Sequence, residues 1–194
     1  MKISRVMNLI VPVETESGAA WIHSTPISRE IYKAHFLILS KTFAAIFTEG
    51  LGTVAGPRVA CLMLEKIASE SGGWDGANGV RNTLVGEIIR LSNLVYPQEG
   101  KGWQTKPLDV AIEKGVVELD EIIGELVFFT CVSAINKPDQ ARGLMEVVAG
   151  LWSSATTSLS LMDWIDSLVI SKPTGNSGEM ENMSLAISST TVPV

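Results

Sequence analysis

The chain has 194 residues, 46% of them hydrophobic and 19% charged, with a formal net charge of −6. That length and apolar content suit one medium domain with a real core and exclude a chain disordered throughout. The acidic balance and the absence of any Lys/Arg cluster exclude the concentrated positive surface that nucleic-acid binding requires.

From the N-terminus, Met1-Lys2-Ile3-Ser4-Arg5 leads into an apolar stretch interrupted by Asn8 and Pro12. With no long apolar run before a small-residue cleavage site, no signal peptide is expected. Ile3 to Val13, the turn residues Glu14 to Gly18, and Ala19 to Ser24 predict a β-hairpin within residues 1–27. Thr25-Pro26 closes it.

Residues 28–172 are read as a helical core. Ser28 caps a first helix over Arg29 to Glu49, and Gly50 sits where a left-handed C-cap falls. Its apolar content makes it the expected centre of the core. Gly50 to Gly56 is superficially like a dinucleotide loop, but it follows a helix and its spacing is wrong, so a tight interhelical connection is expected. Pro57 then starts a second helix to Glu70. A loop over Ser71 to Gly79 precedes a third helix, Val80 to Val95, with Leu84, Ile88, Leu91 and Val95 on one face. Pro97 and Gly100-Lys101-Gly102 mark another loop. Pro107 to Lys114, Leu119 to Ile135, Pro138 to Leu151 and Leu159 to Ile170 complete the helices. The fold expected is therefore mainly α: a bundle of about six helices with an N-terminal hairpin. Residues 173–194, rich in Ser, Thr, Gly and Asn, read as a disordered tail. The longest apolar runs, Phe36 to Leu39 and Phe43 to Phe47, are too short and too interrupted to span a membrane.

Catalytic chemistry is hard to place. His23 and His35 have no partner at metal-ligand spacing and read as surface or satisfied structural residues. Cys61 and Cys131 lie in apolar runs and read as small buried hydrophobes. Glu118, Asp120, Glu121 and Glu125 form an acidic cluster that a helix N-terminus favours without any ligand. No cofactor, metal or catalytic residue is expected. The five tryptophans are more suggestive, because tryptophan is enriched at binding hot spots. Trp74 and Trp103 stand in Gly-rich loops that no core periodicity explains. Together with Trp152 and Trp164 they are the candidate partner-binding residues.

Several phrases occur in a telling order: Val11-Pro12-Val13-Glu14, His23-Ser24-Thr25-Pro26-Ile27-Ser28-Arg29, Ser40-Lys41-Thr42-Phe43-Ala44-Ala45-Ile46 and Ala55-Gly56-Pro57-Arg58-Val59-Ala60. Leu126-Val127-Phe128-Phe129-Thr130 and Gly150-Leu151-Trp152-Ser153-Ser154-Ala155-Thr156-Thr157-Ser158-Leu159 follow. In combination, over residues 1–170, the chain resembles tail assembly chaperones of long-tailed bacteriophages. The resemblance implies a protein of the infected host's cytoplasm that binds the tape measure protein and keeps it soluble. It also implies help for tail-tube subunits polymerising around that client, and no retention in the virion. A longer frameshifted form of the chain is a further implied partner. The rival expectations are a minor structural component of the tail or capsid, and an enzyme with a site assembled from scattered residues.

Overall fold

A computed structural model describes residues 7–16 and 18–168. The expected tail, 173–194, lies outside these residues, as do the start of the first strand and the end of the last expected helix.

The expected hairpin is present as β1 (Asn8–Thr15) and β2 (Gly18–Ser24). The helical-bundle expectation, however, is wrong. The hairpin is part of a five-stranded antiparallel sheet, so the fold is α+β. Three further strands complete it: β3 (Ser92–Gln98), β4 (Gly102–Pro107) and β5 (Ala155–Thr157), in the order β4-β3-β2-β1-β5. The error has a local cause. Leu84, Ile88 and Leu91 keep helical spacing, but the helix ends at Leu91. It comprises a π turn, Arg81–Val85, and a short α segment, Gly86–Arg90. The chain then extends, and Gly100 and Gly102, at φ of 73° and 72°, allow the return into β4.

The other helices are α1 (Arg29–Thr48), α2 (Gly52–Glu70), α4 (Leu108–Glu113), α5 (Leu119–Ile135), α6 (Pro138–Trp152) and α7 (Leu161–Ser167), the Gly86–Arg90 segment being α3. Ser28 caps α1 through its hydroxyl, as expected. The connection from α1 to α2 is shorter than expected. Gly52 to Gly56 belong to α2, and Pro57 lies inside that helix, where it forgoes one amide hydrogen bond.

The centre of the core is α5 and not α1. Every residue from Leu126 to Ala134 is buried, whereas α1 leaves Phe36 and Leu37 about half exposed. Helix α5 packs against α1, α2, α6 and β1, and a helix that is apolar all round is stable only in such surroundings. Two glycines set the spacing. A Cβ on Gly124 would lie 2.4 Å from the Pro57 carbonyl oxygen, and one on Gly56 would lie 2.6 Å from the Phe128 ring. Backbone therefore meets backbone where α2 crosses α5.

The inner face of the sheet carries Leu9, Val11, Ala20, Ile22 and Leu94 into this core. At its end, the Ser92 hydroxyl donates to the Ile88 carbonyl at 2.8 Å and shares a 2.8 Å hydrogen bond with Ser24. The opposite face positions the site.

Candidate functional site

Cross-strand register assigns the outer face residue by residue. Ile10 pairs with His23 and Pro12 with Trp21; Trp21 pairs with Val95 and His23 with Asn93; Pro97 pairs with Trp103. Directly paired residues share a face, so Ile10, Pro12, Trp21, His23, Asn93, Val95, Pro97 and Trp103 all stand on the side away from the core. None of these carries a charge at neutral pH; Glu14, paired with Ala19 at the exposed end of β1, puts one carboxylate at the rim of the same face.

Trp21 organises the face. Its ring meets Trp103 edge-on at 4.8 Å between centroids, and meets Trp164 of α7 edge-on at 6.0 Å. Trp164 also lies 5.9 Å from the His23 ring. Such edge-to-face pairs contribute about 0.5–1.5 kcal/mol each beyond the area they bury. All three indoles remain half-buried. The platform thus combines large rigid rings with partial access to solvent, the character of a binding hot spot.

His23 is neither a surface residue nor a fully satisfied one. It is wholly buried. Its Nε2 lies 3.4 Å from the Leu159 carbonyl, and its Nδ1 has no partner of hydrogen-bonding geometry among the described residues. Burial holds its pKa below the ordinary histidine value, with the Leu159 carbonyl acting weakly the other way.

Two of the four expected binding tryptophans, Trp103 and Trp164, therefore meet on one face. Trp74 does not join them. It packs against the main core from its loop, and its carbonyl accepts the Arg81 amide at 3.1 Å. The loop is drawn in so tightly that a Cβ on Gly79 would lie 2.3 Å from the same carbonyl oxygen. Trp152 also lies apart, with its Nε1 donating to the Val54 carbonyl at 3.2 Å. Trp21 was missed by sequence reasoning. The available signal was its i,i+2 spacing with His23, which puts both on one face of a strand.

Trp152 borders a cleft of about 360 Å³ between α2, α5 and α6, lined also by Pro57, Arg58, Asp120, Glu121, Gly124 and Glu125. Three residues of the acidic cluster thus gather here. Burial pushes the Glu125 carboxyl up to about 7, the neighbouring Ser154 hydroxyl opposing this weakly. Among the described residues, no group of three or more His, Cys, Asp or Glu side chains is arranged to hold a metal ion. Burial also raises the thiols, Cys61 to about 11 and Cys131 to about 12. Both are therefore protonated and weakly nucleophilic at neutral pH. No described helix is long and apolar enough to cross a membrane. No protein-family model, curated protein or solved structure matches the chain.

Proposed function

We propose that this chain is a tail assembly chaperone of a long-tailed bacteriophage, working in the cytoplasm of the infected bacterium. It holds the tape measure protein in soluble form, presents it to tail-tube subunits, and leaves before the virion is complete. The order of the sequence phrases motivates the reading. The observation that carries it is the outer sheet face on which Trp21 and Trp103 stand together, uncharged except for Glu14 at its rim, with Trp164 of α7 laid against Trp21. Extended helical clients expose apolar stripes, and an amphipathic helix laid into an apolar groove is a standard mode of recognising them. Rigid indoles supply contact area there at small entropic cost. The acidic remainder of the surface keeps a complex with an insoluble client dispersed.

The test is a tagged chain produced during infection. The expected result is co-purification of one long helical tail protein, with the chain missing from purified virions. A longer frameshifted form would appear as a larger species sharing the same N-terminal peptides. Stoichiometric presence in virions would replace this reading with that of a structural tail or capsid component.

A further inference from the structure

The outer sheet face is already occupied by the chain itself. After β5, the Leu159 carbonyl accepts a hydrogen bond from Asn8 Nδ2 at 2.8 Å. Ser160 then caps α7, its Oγ accepting the Asp163 amide at 3.3 Å. Helix α7 lays Trp164 against Trp21 and His23. On the same face Ile10 is 5% exposed, and Val95 and the His23 that Trp164 meets are 0% exposed, although all three point away from the main core.

The occupant itself is lightly held. Helix α7 has seven residues and none of them is buried; Met162 is 62% exposed. A seven-residue helix is too short to persist in water without such docking. The seat is also imperfect, since the wholly buried His23 leaves Nδ1 without a partner. The sheet face thus gains much from being covered, while this particular cover gains little.

We infer that the outer sheet face is a helix-docking groove and that α7 is its intramolecular occupant, displaced by a partner helix of the same kind. The fitting partner is a short amphipathic helix that sets one aromatic ring into the gap between Trp21 and His23. This rests on reading the aromatic face as the client site, and it adds that client binding competes with α7. The consequence is a reversal of sign. Truncating Trp21 removes part of the groove and weakens binding in trans. Truncating Trp164 removes the competitor and strengthens it.

The probe is a fluorescently labelled peptide of residues 158–168, titrated by anisotropy against the full chain. The Trp164→Ala chain is expected to bind it about tenfold more tightly than the unmodified chain, the worth of one indole's contacts. Ser160→Ala, which keeps Trp164 but loses the cap, is expected to gain about fivefold. A peptide with alanine in place of its own tryptophan is expected to lose binding. Circular dichroism checks that each variant is folded, and Ser160→Ala carries the test if Trp164→Ala is not. Equal peptide affinity across the unmodified chain and the folded variants, or no binding by any of them, would overturn the inference. The peptide assay contains no client. Peptide binding with the expected order but no tail-protein capture during infection would sink the chaperone reading and leave the groove standing.

Discussion

Glu125 and His23 are both withdrawn from water, and burial moves their acidities in opposite directions. The Glu125 carboxyl rises from an ordinary 4.5 to about 7. Between those values the folded chain binds the proton more tightly than the unfolded chain does. Stability therefore falls as pH rises through that window, and the penalty is complete above it. The full shift corresponds to about 3 kcal/mol, which partial exposure reduces to roughly 1–2. Glu125→Gln is accordingly expected to stabilise the chain by roughly 1–2 kcal/mol at pH 8 and to do nothing comparable at pH 4, as read from urea unfolding. Equal effects at the two pH values would show that this carboxyl is not held in its neutral form by the fold. For His23, burial lowers the folded-state pKa. The stability it contributes is present above the unfolded value of 6.5 and is lost as pH falls from there towards the folded value. Because the Leu159 segment and α7 lie against His23, the protection factors of the α7 amides, corrected for the intrinsic exchange rate at each pH, should fall below pH 6.5 before those of α5 do. A simultaneous fall in both helices would contradict a local uncovering.

Among the elements, α5 was legible in the sequence and β3 was not. The boundaries Leu119–Ile135 follow from an acidic first turn and an apolar run too long for a strand. The packing role of Gly124 inside that run was invisible, because it depends on where Pro57 arrives from another helix. Gly124→Ala is predicted to destabilise by about 3 kcal/mol, since backbone must move to admit the methyl group. A change below about 0.5 kcal/mol in denaturant unfolding would show that the α2–α5 crossing is looser than its geometry implies. The strand β3 was hidden for a different reason. Sheets covered on one side alternate apolar and polar residues, but β3 is covered on both. Leu94 faces the main core and Val95 the tryptophan platform, so no alternation advertises the strand. Val95 also continues, by coincidence, the helical spacing of Leu84, Ile88 and Leu91. The three-residue β5 offers too few positions for any pattern. The candidate site was half legible. Trp103 and Trp164 stood out as tryptophans, but only the register across β2, β3 and β4 reveals that Trp21 stands between them.

For the whole molecule, the two faces of the sheet divide the work. One side joins a core built around α5, which holds most of the buried hydrophobic side chains. The other side bears an aromatic surface under a thin cover, and on the proposed reading a client engages it without unfolding the core. Local opening of weakly held segments costs far less than global unfolding. Trp74, anchored in its own loop against the core, and Trp152, at the cleft, have no part in this surface. The most direct measurement is the soluble fraction of the tape measure protein co-expressed with this chain. The unmodified chain and Trp74→Ala, where folded, are predicted to keep the client soluble. The double variant Trp21→Ala/Trp103→Ala, folded by circular dichroism, is predicted to leave it in the pellet. Undiminished solubility with the folded double variant would contradict the assignment of this face as the client site.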